Sequence, residues 1–76
     1  MTEKELDCRG LSCPLPVLKS TKAMKSLNAG DRLVVLATDP ASYIDIPHFC
    51  QAQGHKLEEW TESDGVYTYR IIKGAA

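Results

Sequence analysis

Cys13 stands directly before Pro14, with Pro16 two residues on, in the run Leu11-Ser12-Cys13-Pro14-Leu15-Pro16. Proline is tolerated in the first turn of a helix, where the amide it lacks has no intrahelical acceptor. The spacing therefore predicts a helix whose first turn begins at Pro14, with Cys13 at or beside the N-cap. Unpaired amides and the positive end of the helix dipole would then favour thiolate, the reactive form of cysteine. Gly10 supplies a flexible turn ahead of that start. Arg9 in the same loop, with Lys19, Lys22 and Lys25 along the helix, adds a modest positive field. No Ser/His/Asp-like constellation lies nearby in sequence, so the helix end is the visible activator. Sulfur chemistry at an exposed thiol is the reading; its alternative is a small apolar residue packed under the turn.

The other reactive side chains are weaker candidates. Cys8 precedes Cys13 by five residues, a spacing unlike the C-x-x-C of thioredoxin-like redox couples. It reads better as the half-buried end of a first strand. Cys50 falls on an apolar helical face beside Phe49 and reads as core. A metal set of Cys8, Cys13, His48 and Cys50 has suitable ligand chemistry but lacks the two close pairs of structural zinc sites. His48 is expected in solvent and His55 in a turn. Lys19, Lys22 and Lys25 form either a solvated helix edge or a docking stripe for an acidic partner or an RNA backbone. Trp60, Tyr67 and Tyr69 come without an RNA-recognition motif and are expected to cover the sheet.

The bulk properties fit this scale of site. Residues 1–76 make one small domain, and at this size only about 60% of the unfolded chain's surface is buried. A net charge of -1 argues against a general polyanion binder. No run approaches the roughly 18 apolar residues of a membrane span. Met1 to Glu5 is charged and lacks the apolar stretch of a secretory signal, so a cytoplasmic chain is expected. Three cysteines are an odd count for a disulfide framework and are expected as thiols.

The elements that must hold Cys13 follow from periodicity. A short strand is expected over 4–7. A helix is expected from Pro14 to about Leu27, with Pro14, Val17, Leu18, Thr21, Met24 and Leu27 on its apolar face. Asn28-Ala29-Gly30 stops it. The apolar run Leu33 to Ala37 predicts a central strand, covered on both sides or meeting another chain on its far face. Asp39-Pro40 opens a second helical segment toward Gln53. Pro47 either kinks that segment or sits in the first turn of a second helix capped by Asp45. Residues 55–61 form a strand with Leu57 and Trp60 on opposite faces, Glu62 to Gly65 a tight turn, and 66–72 the last strand. The tail from Lys73 is expected to fray. The fold class is α+β: a two-layer α/β sandwich, βαβαββ, with a four-stranded mixed sheet and both helices on one face.

The segment Leu6-Asp7-Cys8-Arg9-Gly10-Leu11-Ser12-Cys13-Pro14-Leu15-Pro16 closely resembles the TusA/SirA-like sulfur carriers, whose mark is C-P-x-P preceded by L-D-x-x-G-L. The resemblance continues through Ala37-Thr38-Asp39-Pro40-Ala41, Asp45-Ile46-Pro47-His48-Phe49-Cys50 and Gly54-His55-Lys56-Leu57. It implies the same two-layer sandwich, reached here from the pattern alone. It also implies that Cys13 accepts sulfane sulfur as a persulfide and relays it. The donor would be a cysteine desulfurase or a rhodanese, and the acceptor a relay protein serving tRNA 2-thiouridine formation or sulfur oxidation. Gly10, Pro14 and Pro16 would shape the site, and Arg9, Lys19 and Lys22 would dock partners. No cofactor, metal, membrane or direct nucleic-acid contact is expected, and a monomer forming transient heteromeric complexes suits a carrier. The alternative is a non-catalytic regulatory or adaptor domain that binds partners through the Pro-rich turn and basic helix face. A third reading is a redox or zinc protein using Cys8 with Cys13.

Overall fold

The structure is a computed structural model and describes residues 2–74. Its elements are β1 (Glu3–Cys8), α1 (Leu15–Met24), β2 (Arg32–Ala37), α2 (Ser42–Gln53), β3 (Lys56–Ser63) and β4 (Val66–Ile72). The sheet order is β1-β2-β4-β3, with β1 and β2 parallel and the other pairs antiparallel. This is the expected βαβαββ sandwich with two helices over a four-stranded mixed sheet.

The helix-facing residues of β2, Leu33, Val35 and Ala37, join Cys8, Met24, Ile46, Phe49, Tyr69 and Ile71 in one core. Val34 points to the opposite face, yet is only 6% exposed. Its register partners there are Glu5 and Arg70, and Arg32 bridges Glu3 of β1 and Glu58 of β3. Long charged side chains laid across an apolar strip cover it without a third layer or a second chain.

Several local expectations are corrected. α1 begins at Leu15, with Pro14 as its N-cap and Pro16 in its first turn, so Cys13 lies just outside the helix. Its buried face is Pro16, Ser20, Ala23 and Met24, while Leu18 is 57% and Leu15 43% exposed. Ser20 can occupy the interior because its hydroxyl donates to Pro16 O (2.7 Å), which satisfies a buried polar group locally. The helix stops at Met24 rather than near Leu27, and the ammonium of Lys73 donates to the carbonyls of Met24 and Leu27. A cation at a helix C-terminus is favourable there.

α2 is one continuous helix with Pro47 inside it, so of the two alternatives the second helix start capped by Asp45 does not occur. Proline forfeits one backbone bond, but Ile46, Phe49 and Cys50 around it are all buried, and that packing holds the turn. Asp39 caps the preceding turn rather than the helix, accepting from the Ala41 amide (3.0 Å). In β3 an irregularity between Leu57 and Glu59 inserts a residue, so Leu57 pairs with Ile71 and Trp60 with Tyr69, both core-facing positions. Leu57 and Trp60 therefore share a face, as a bulge requires. Trp60 lies against Tyr43 of α2 (ring centroids 5.2 Å) and Tyr69 (6.3 Å). Asp64 and Gly65 both take positive φ, 51° and 80°, the signature of a type I′ turn.

The C-terminal segment does not fray at Lys73 and Gly74. Lys73 exchanges backbone bonds with Gly30 and Asp31, and the Gly74 amide donates to His55 Nδ1 (3.0 Å). Residues 75 and 76 lie outside the described residues.

Asp31 ties the two chain ends of the sheet together. Its carboxylate accepts from the amides of Asn28 (2.8 Å) and Thr2 (3.1 Å), which hold its pKa below the usual carboxylate range. A depressed folded-state pKa contributes stability above the unfolded value and loses it as pH falls through the folded value. Asp31→Asn is therefore expected to lower the thermal midpoint at neutral pH. The gap from wild type should close as the pH falls through the depressed folded-state pKa of Asp31, below which both side chains are neutral. Thermal unfolding followed by circular dichroism across pH reads both effects; a gap independent of pH would contradict this account.

Candidate functional site

β1 and β2 are parallel, so the helices that follow them both start at the same end of the sheet. Cys13, before α1, is thereby brought beside Asp39 and Asp45, around the start of α2. The Cys13 amide donates to Asp39 Oδ2 (2.6 Å), and its thiol donates to Asp45 Oδ2 (2.6 Å). Gly10, with φ +80°, turns the preceding loop, and its amide donates to Thr38 Oγ1 (2.8 Å). The left-handed conformation at that position favours glycine. The Cys13–Pro14 peptide is cis. Beside the sulfur, Cys13, Pro14, Val17, Asp45, His48 and Phe49 help line an open groove of about 300 Å³ between the helices.

The expected activation of the thiol by the helix end is not what this geometry does. The hydrogen bond to Asp45, then desolvation, then the negative charges of Asp45 and Asp39 all push the Cys13 pKa up. The prolines that mark the turn also strip it of donors: Pro14 and Pro16 carry no N–H, and Leu15 donates its own to Ser12 O (2.9 Å). Few amides are left to meet a sulfur anion. Arg9 does not supply the missing positive field either. Its guanidinium is held by Asp7 through two bonds of 2.9 Å, and the same pairing draws the Asp7 pKa down to about 2.

Of the remaining cysteines, Cys50 is core as expected, and burial pushes its pKa up to about 11. Cys8 is fully rather than half buried, and burial raises its pKa too. Cys13 is the single exposed thiol. With two of its sulfurs inside the core and one outside, the Cys8/Cys13/His48/Cys50 ligand set is not assembled. His48 is exposed, while His55 is half-buried between α2 and β3 with its ring against Phe49 (5.5 Å). Lys19 and Lys22 do not face the sulfur groove; with Lys4 they line a second groove of about 280 Å³ between α1 and β1.

Asp39 and Asp45 are the site residues that sequence reasoning missed, having assigned them only to helix caps. Their signal was topological. Two helices opening from parallel strands must present their first turns side by side, and the α2 start carries Asp39 and Asp45 where the α1 start carries the cysteine.

Comparison with known proteins places the chain. Residues 4–73 match the family model for sulfurtransferase TusA. A sulfur carrier protein TusA of Pseudomonas putida is 46% identical over 70 residues, covering 92% of this chain and 88% of that protein. A sulfur carrier protein TusA of Pseudomonas aeruginosa is likewise 46% identical over 70 residues, covering 92% and 89%. The crystal structure of a SirA-like protein from Desulfitobacterium hafniense superposes with a TM-score of 0.83 at 30% identity, over 93% of this chain and 97% of that one. The sandwich, the exposed cysteine at the paired helix starts and the match from residue 4 to residue 73 agree: the chain belongs to the TusA family of sulfur carriers.

Proposed function

We propose that Cys13 carries sulfane sulfur as a persulfide from a donor protein to an acceptor protein. The observation that supports this most is that one thiol of three is exposed, at the mouth of an open groove, in a chain of the TusA family. The Cys13 thiolate attacks the outer sulfur of a donor persulfide; the new S–S bond forms as the donor's breaks, and the donor leaves as a thiolate. An acceptor thiolate then attacks the terminal sulfur on Cys13 and releases the Cys13 thiolate. Atoms balance without an external oxidant, metal or organic cofactor. Gly10, Pro14 and Pro16 shape the loop so that the sulfur stays presented.

The donor in this reading is a cysteine desulfurase or a rhodanese, and the acceptor a relay protein leading to tRNA 2-thiouridine or to sulfur oxidation. The chain works as a monomer in transient complexes, in the cytoplasm, where reduced cysteines persist. No helix among the described residues is long and apolar enough to cross a membrane. Incubation with a cysteine desulfurase and cysteine should add about 32 Da, one sulfur atom, to Cys13. Loading on Cys8 or Cys50 instead, or none at all, would overturn the proposal.

A purely adaptor role is separable from this one. Lys19, Lys22, the exposed Leu15 and Leu18, and the Asp7-paired Arg9 offer a docking flank along α1 and the loop before it. The double variant Lys19→Glu/Lys22→Glu is expected to slow sulfur uptake from the donor protein by about tenfold, as loss of electrostatic steering does. Uptake from a small-molecule persulfide should stay within about twofold. Equal slowing of both would show that the lysines act on the thiol and not on docking.

A further inference from the structure

Resting on the carrier reading, the structure assigns a second task to Asp45: it tilts Cys13 toward giving its sulfur up. The thiol donates to Asp45 Oδ2 at 2.6 Å, and no cation pairs with Asp45 among the described residues. The charged groups around the sulfur are few. From the loop before α2 comes Asp39, bound to the Cys13 amide; from α2 come Asp45 and the exposed His48. The α1 wall of the groove, Pro14, Val17 and Thr21, contributes none.

Consider the two end states of exchange with the persulfide ionised on both sides, R–S–S⁻ + Cys13–SH ⇌ R–SH + Cys13–S–S⁻, in which the Cys13 thiol proton passes to the departing R–S⁻. One S–S bond breaks and one forms, the proton count is unchanged, and no net oxidation occurs. Empty Cys13 keeps its hydrogen bond to a carboxylate, a charge-assisted contact stronger than a neutral one. Loaded Cys13 has no hydrogen on Sγ, so that bond is gone. Its terminal sulfur, ionised more readily than a thiol, then carries negative charge beside Asp45 and Asp39. Like charges at this range disfavour the anion. Both differences stabilise the empty carrier relative to the loaded one. A raised Cys13 pKa is the same preference seen from the thiol side. The carboxylate thereby moves the equilibrium toward discharge, which suits a relay whose cargo must pass on.

The test equilibrates the full chain with a fixed ratio of glutathione persulfide to glutathione and reads the loaded fraction by intact mass. Asp45→Asn removes the charge and Asp45→Ala removes charge and acceptor. Both are expected to raise the loaded-to-empty ratio at least about fivefold, the scale of one lost hydrogen bond, while Asp45→Glu stays near wild type. A merely structural role would leave a second readout unmoved: the pH profile of Cys13 alkylation by iodoacetamide, expected to shift to lower pH in the Asn and Ala variants. Equal loading ratios in wild type and both neutral variants, with all folded by circular dichroism, would overturn the assignment. Failure of wild-type Cys13 to load at all would instead overturn the carrier reading, and the alkylation profile would still decide whether Asp45 holds the thiol.

Discussion

Cys13→Ser is expected to abolish persulfide loading while leaving the fold intact. The loss should be complete within detection, because neither remaining thiol can replace it. Cys50 is 3% exposed with a pKa pushed to about 11, and Cys8 is fully buried. At neutral pH a thiol of pKa about 11 is ionised in roughly one molecule in ten thousand, and here even that fraction is shut away from a protein-borne donor. The fold should survive because the Cys13 side chain is exposed and its one side-chain hydrogen bond is to Asp45, which a serine hydroxyl can also make. Mass spectrometry of the variant after exposure to a donor, with a thermal scan alongside, checks both halves. Undiminished loading would show that the exposed thiol is not the carrier.

Ile46→Ala carries the largest expected effect on stability. Ile46 has no exposed surface and plugs α2 onto the sheet beside Pro47. Truncating a buried isoleucine removes its transfer free energy and leaves a cavity, together about 2–5 kcal/mol. A domain of 76 residues, at about 0.05–0.15 kcal/mol per residue, has roughly 4–11 kcal/mol in all. The variant should therefore lose roughly a fifth of its stability at the least, seen as a lower urea midpoint with an unchanged slope. Its neighbour in sequence is Asp45, so a loosened α2 should also release the Cys13 thiol, and alkylation should speed up before global unfolding. A urea midpoint unchanged from wild type would mean that α2 is held by something other than this contact.

Much of the architecture was legible because it rests on local periodicity and on turn residues. The apolar run from Leu33 to Ala37 pointed to a central strand, and Glu62 to Gly65 to a tight turn. What escaped depended on partners distant in the chain. A bulge at Glu58 leaves no mark in the alternation of residues 55–61, since it is defined by what β4 presents opposite. Ser20 sits inside because it satisfies its own hydroxyl, so a polar residue mimicked a surface position and exposed Leu18 mimicked a core one. The exposed cysteine was visible at once from its prolines. Its protonation was not, because the residue that governs it lies 32 positions away and meets it only after both helices have docked.

The packing of Trp60 gives the molecule an optical handle on that docking. It is the one tryptophan in the chain, seated on β3 with its ring edge-on to Tyr43 at the start of α2 and stacked over Tyr69 of the sheet. Its fluorescence is thus a native gauge of whether α2 is seated, reporting from the same helix that delivers Asp45 to the sulfur. The seating of α2 can therefore be followed in the unlabelled protein, with no dye attached near Cys13.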